Sequence, residues 1–102
     1  MKILTLARDL RRRKARERQG LFVAEGIRTV EELLRSPLEV RAVLIGPQQG
    51  NEARRQTLLE NIRHRGIVTE EVGSSDFDSA AETESPQGIL AVAAVPSRAL
   101  AD

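Results

Sequence analysis

The chain has no cysteine, no tryptophan and no tyrosine, and only two phenylalanines, Phe22 and Phe77, in 102 residues. Without cysteine there is no disulfide frame, no thiolate zinc site and no thiol nucleophile, which fits a cytoplasmic protein. With so few aromatic residues the core must be aliphatic. No apolar run approaches the roughly 18 residues that span a bilayer. Met1–Ala7 flows straight into charge, so neither a secretory leader nor a membrane segment is expected. Histidine is nearly absent too: His64 stands alone between Arg63 and Arg65 and reads as a solvated helix end. One imidazole without thiolates does not assemble the usual zinc donor set. Asp76, Asp78, Glu82 and Glu84 lack the alternating oxygens and mid-loop glycine of a calcium loop, and suit the dipole of a short helix instead. Gly46-Pro-Gln-Gln-Gly50 follows a strand and precedes a helix. It has neither phosphate-loop glycine spacing nor a Gly-Lys-Ser/Thr ending, and Pro47 removes an amide donor. An ordinary loop is expected there, and no catalytic, cofactor or metal site in the chain.

What is present suffices for one folded domain. Hydrophobic residues make up 40% of the chain, which supports a core, and 30% are charged. The net charge of +1 hides an asymmetry. Residues 1–20 carry eight basic side chains against two acidic ones, whereas residues 21–102 carry eight against thirteen. Between Gly66 and Pro96 there is no lysine or arginine. Such polarity orients the molecule's field and points its basic end toward a polyanion. Fourteen of the sixteen basic residues are arginine, whose planar fork suits phosphate, although a GC-rich genome produces the same bias.

Residues 2–18 read as one helix. At about 100° per residue, Ile3, Leu6, Ala7 and Leu10 fall in a single stripe that can dock on a core. Beyond Leu10 the stripe continues onto Lys14 and Glu17, so the second half has nothing apolar to bury. Gly20 is placed to terminate this helix in the left-handed conformation. A strand at Leu21–Ala24 follows, then a helix carrying Ile27, Val30, Leu33 and Leu34 that stops at Ser36-Pro37. A second strand covers Arg41–Ile45. Asn51 is a candidate cap for a helix that buries Leu58, Leu59 and Ile62. A third strand spans Ile67–Val72, and a short helix from Ser74 or Ser75 turns Phe77 and Ala80 inward. After a turn-rich loop over Thr83–Gly88, Ile89–Val95 is the most apolar run and reads as a central strand. This alternation predicts an α/β fold, a three-layer α/β/α sandwich on a largely parallel sheet of about four strands.

The basic segment is the strongest functional signal. Eight basic groups in seventeen positions ring the helix, with Arg8, Arg12 and Arg16 on one face, Arg11 and Arg18 on another and Arg13 on a third. Asp9 and Glu17 are the only local offsets to their mutual repulsion, and an anionic ligand would relieve it. Aromatic residues for base stacking are missing from the patch, which favours phosphate and shape recognition of folded RNA over single-strand binding.

Two motifs bear on the same point. Lys14-x-Arg16-x-x-x-Gly20-x-Phe22-x-x-Glu25-Gly26, followed by an amphipathic helix, resembles the opening of the SpoU (TrmH-type) RNA ribose 2′-O-methyltransferases. Thr83-Glu-Ser-Pro-Gln-Gly-Ile-Leu-Ala-Val92 resembles the Pro-Gln-Gly motif that closes the same N-terminal substrate-binding domain. The resemblance covers roughly residues 1–96 and leaves 97–102 as a linker. It implies the fold of the kink-turn-binding ribosomal proteins and recognition of structured RNA, rRNA or tRNA. It also implies a separate S-adenosylmethionine-dependent catalytic domain. That domain's Asn-Gly-Arg and Ser-Leu-Asn signatures do not occur in this sequence, so this chain alone is expected to bind no cofactor and transfer no methyl group. A monomer is expected for it, and a homodimer for the full-length parent. The candidate RNA-binding residues are those of the basic patch, Arg8, Arg11, Arg12, Arg13, Lys14, Arg16 and Arg18, and the resemblance singles out Lys14 and Arg16 as the motif's basic pair. Gln87, between Pro86 and Gly88, either offers its amide to a base or ribose or belongs to an ordinary turn. Phe22 reads as core. Glu25 either caps the following helix or pairs with a basic residue of the first. Two alternatives to the methyltransferase reading stand: a stand-alone ribosome-associated or kink-turn RNA-binding module, and a protein-docking domain with an acidic partner.

Overall fold

The computed structural model describes residues 2–47, 52–82 and 88–96. Along the chain these form α1 (Ile3–Asp9), α2 (Arg13–Gln19), β1 (Leu21–Glu25), α3 (Ile27–Arg35), β2 (Val40–Ile45), α4 (Glu52–His64), β3 (Val68–Glu71), α5 (Ser74–Ala80) and β4 (Ile89–Ala94). Asn51 and most of the Thr83–Gly88 loop lie outside the described residues.

The apolar run at the end of the chain becomes the strand on which the rest is built. β4 lies inside the sheet, whose order is β1-β4-β2-β3. Its residues alternate between two cores, as the two-residue period of a strand requires. Ile89, Ala91 and Ala93 face α3 and α4, together with Val30, Leu33, Leu34, Leu58, Leu59 and Ile62. Leu90 and Val92 face α1 and α5, with Ile3, Ala7, Leu10, Phe77 and Ala80. Helices therefore cover both faces, as the three-layer reading required. Full burial of each of the larger aliphatic chains contributes about 1.5–3 kcal/mol, and β4 alone places Ile89, Leu90 and Val92 in the two cores.

The sheet is mixed, and the expectation of a largely parallel one is corrected. β2 and β3 pair in parallel, but β4 runs antiparallel to both of its neighbours, β1 and β2. The reason lies in where the β3–β4 connection delivers the chain. Ile45 is opposite both Glu71, the last residue of β3, and Ile89, the first of β4. β4 therefore starts at the end where β3 stopped and runs back through the interior of the sheet.

The predicted helix over residues 2–18 is also corrected, because it breaks in two. Leu10 closes α1, and Arg12 takes an extended conformation (φ −92°, ψ 132°) before α2 begins. A continuous helix would carry the buried stripe onto Lys14 and Glu17. The break re-phases the second helix so that Ala15 is buried and Lys14 is turned out. The second half thus has an apolar anchor after all, one alanine wide.

Gly20 ends α2 in the left-handed region (φ 67°, ψ 32°), and its N–H donates to the Arg16 carbonyl at 2.9 Å. A methyl group there would meet nothing within 4 Å, so Gly20→Ala tests backbone conformation alone. It should lower stability by about 1 kcal/mol, read as a drop of roughly 4–8 °C in melting temperature. An unchanged melt would show that α2 needs no left-handed stop.

Candidate nucleic-acid interface

The break at Leu10–Arg12 divides the basic residues into two groups. Arg8, Arg11 and Arg16 are tied into the fold. The Arg8 guanidinium reaches α5, donating to the Ser79 hydroxyl at 2.7 Å and pairing with Asp76 at 3.2 Å. Arg11 donates to the Ser79 carbonyl at 3.0 Å, so the two arginines clamp α1 onto α5. Arg16 is half-buried, and its Nη1 donates to the carbonyls of Leu10 and Arg11, each at 3.0 Å. Those oxygens belong to the end of α1, where helical partners run out, so Arg16 caps one helix from the next.

Arg12, Arg13, Lys14 and Arg18 form the second group and face solvent. The side chains of Arg12, Arg13 and Arg18 are 74%, 83% and 68% exposed. Arg13 pairs with Glu17 at 2.9 Å, one turn away on the same helix. Exposed pairs of this kind contribute little and are easily exchanged. Lys14 is exposed and has no ion-pair partner among the described residues. Together with Ala15, these four residues line a shallow depression on α2, and Arg8, Arg12, Thr5 and Asp9 line another beside it.

Asp9, one of the two local carboxylates in the basic segment, is more than a diffuse offset to its charge. Its carboxylate accepts from Arg12 and, at 3.0 Å, from the Gln19 side-chain amide, and lies 4.0 Å from the Arg18 guanidinium. The carboxylate is 26% exposed, the inner member of a group whose cations lie outside it. The three-residue spacing to Arg12 was a legible signal. The contribution of Gln19 and Arg18 was not, because it depends on the break between the helices.

The other named residues lie elsewhere. Gln87 falls outside the described residues. Phe22 is half-buried, packed against the α3 and α4 side of the sheet. Glu25 accepts the backbone N–H of Glu82 at 2.8 Å, which joins the end of β1 to the end of α5. His64 is exposed at the end of α4, as expected of a solvated terminus. On the opposite face, Arg54 of α4 donates two hydrogen bonds to Glu31 of α3, at 2.6 and 3.1 Å. Those bonds hold the Glu31 carboxyl below its ordinary value. This pair joins the two helices and belongs to the scaffold. No group of acidic and histidine side chains suited to a metal ion occurs among the described residues.

A family model described as the MRM3-like substrate binding domain matches residues 3–91. The chain is 31% identical over 94 residues to the 23S rRNA (guanosine(2553)-2′-O)-methyltransferase RlmP of Bacillus subtilis strain 168, covering 92% of this chain and 35% of that protein. Its fold is similar to that of the AdoMet-bound rRNA methyltransferase from Sinorhizobium meliloti, with a TM-score of 0.70 at 18% identity, over 90% of this chain and 33% of that one. The SpoU methyltransferase AviRb from Streptomyces viridochromogenes, solved with AdoMet, gives a TM-score of 0.70 at 19% identity, over 91% and 32%. The chain thus spans about a third of the length of these relatives.

Proposed function

The chain belongs to the MRM3-like substrate-binding domain family, and we propose that it recognises structured RNA, rRNA or tRNA, for an RNA 2′-O-ribose methyltransferase of the SpoU type. In this reading residues 1–96 are the RNA-reading domain, residues 97–102 lead toward a catalytic domain, and the parent protein works in the cytoplasm as a homodimer. The isolated domain is a monomer.

The observation that carries the proposal is the outer face of α2. Arg13, Lys14 and Arg18 project from a helix whose fully buried contact is one alanine, and Arg12 from its N-cap, all four exposed to solvent. Cations displayed in this way on a rigid element neutralise phosphates and release counterions. The family supports a methyl donor, S-adenosylmethionine, for the parent. The depressions beside the basic residues of α1 and α2 do not fit it. The depressions on this side of the domain are rimmed by Arg8 and Arg12, or by Arg12, Arg13, Lys14 and Arg18. A sulfonium cation is repelled by such a rim, so we assign the cofactor to another part of the parent.

The test is a titration of the 102-residue chain with a folded fragment of bacterial 23S rRNA across a series of salt concentrations. With four to six phosphates neutralised, the logarithm of the binding constant should fall against that of salt with a slope of roughly −3 to −5. Heparin should compete poorly at equal charge. A slope near zero, or a preference for heparin, would remove RNA recognition and favour docking to an acidic protein partner.

A further inference from the structure

We propose that Asp9 is an internal counter-anion that holds the phosphate-binding arginines in readiness and gives them up when RNA arrives. The proposal rests on the RNA-recognition reading and says how that site is set. Two donors and one further cation from α2 and its N-cap position converge on one carboxylate: the Arg12 guanidinium and the Gln19 amide, at 3.0 Å, donate to it, and the Arg18 guanidinium lies at 4.0 Å. A set of planar and amide donors gathered on one oxyanion is also what a phosphate requires. The carboxylate sits on the inner side, while Arg12 and Arg18 keep about three quarters and two thirds of their side-chain surface in water, at 74% and 68%. A phosphate approaching from solvent therefore reaches the arginines without displacing any core residue.

Two consequences follow from charge alone. With the carboxylate in place, the mutual repulsion of the α2 cations is partly relieved in the free protein, and their side chains are held near one another. The same carboxylate competes with RNA for them, so the affinity for any polyanion is lower than the count of basic residues suggests.

Asp9→Asn separates this role from a purely structural clasp. The amide keeps an oxygen that accepts from Arg12 or Gln19, so the α1–α2 junction is preserved, but the competing charge is gone. With the folded 23S rRNA fragment as probe, the variant should bind about 5- to 10-fold tighter near 0.1 M salt, with a slope steeper by about 0.7–0.9. Equal or weaker binding at the parent slope would make Asp9 a clasp and overturn the proposal. Should the variant not fold, as judged by circular dichroism, the unaltered chain supplies the measurement. On RNA titration the side-chain N–H resonances of Arg12, Arg18 and Gln19 should shift together; retention of the Arg12 and Gln19 positions at saturation overturns the proposal. Failure of the underlying reading has a different signature, the absence of saturable RNA binding by the parent chain.

Discussion

Replacing Arg13, Lys14 and Arg18 together by alanine should weaken binding to folded rRNA by about 100- to 1,000-fold near 0.1 M salt and flatten the salt slope by about 2 to 3. The structure selects these three. Each is exposed on α2, and among the described residues none holds a backbone carbonyl or joins one layer to another. Their removal costs only solvent-exposed pairs with Glu17 and Asp9, so the melting temperature should stay within a few degrees of the parent. The motif's own pair, Lys14 and Arg16, would be a poorer choice, because truncating Arg16 strips the donor from the Leu10 and Arg11 carbonyls and loosens the junction between α1 and α2. Loss of RNA binding by such a variant would mix recognition with folding. Arg63→Ala with Arg65→Ala is the control, since both are exposed at or just beyond the end of α4. If that control loses as much affinity as the triple variant, or the triple variant keeps the parent slope, α2 is only a charged surface.

Much of this architecture was legible because burial leaves a period in the sequence. Ile27, Val30, Leu33 and Leu34 at helical spacing gave α3, and the unbroken run from Ile89 gave an interior strand buried on both sides. Gly20 announced the end of α2, and Phe77 with Ala80 gave the inner face of α5. Strand direction was less legible, since alternation of helix and strand does not say at which end of the sheet a connection delivers the chain. β4 begins at Ile89, opposite the Ile45 that also faces the last residue of β3, and so runs antiparallel to β2. The break between α1 and α2 was hidden for a different reason. Arg11, Arg12 and Arg13 are all acceptable helix residues by propensity, and only the competition between burying Ala15 and burying Lys14 separates the two helices. That break decides the site. It turns Arg16 into a cap, brings Asp9 beside Arg18 and Gln19, and leaves Arg13 and Lys14 outside. The basic surface was therefore readable as composition, and the division of labour within it was not.

The expected result of largest effect on stability is at Gly46, where the sequence suggested only an ordinary loop. Gly46 is buried at the end of β2, and a β-carbon placed on it would sit 2.7 Å from Phe77 Cγ and 2.8 Å from both Cβ and Cδ2. Phe77 is 2% exposed, enclosed by the core beneath α1 and α5, and has no free direction in which to withdraw. The Gly46 backbone is fixed as well: its N–H donates to the Gly88 carbonyl at 2.8 Å, and its carbonyl accepts from Arg55. Neither side of the contact yields without breaking something else, so the overlap becomes strain. Gly46→Ala should cost about 1–3 kcal/mol, a fall of roughly 5–20 °C in melting temperature for a domain of this size. Gly46→Val should cost more, through a larger overlap at the same place. The origin of the loss can be checked by a double-variant cycle with Phe77→Leu, which removes ring atoms from the contact. The leucine substitution destabilises the parent but should cost less, or even restore stability, when Gly46→Ala is already present, giving a coupling of about 1 kcal/mol or more. Strict additivity would show that the cost of Gly46→Ala lies in the backbone and that packing against Phe77 does not set it.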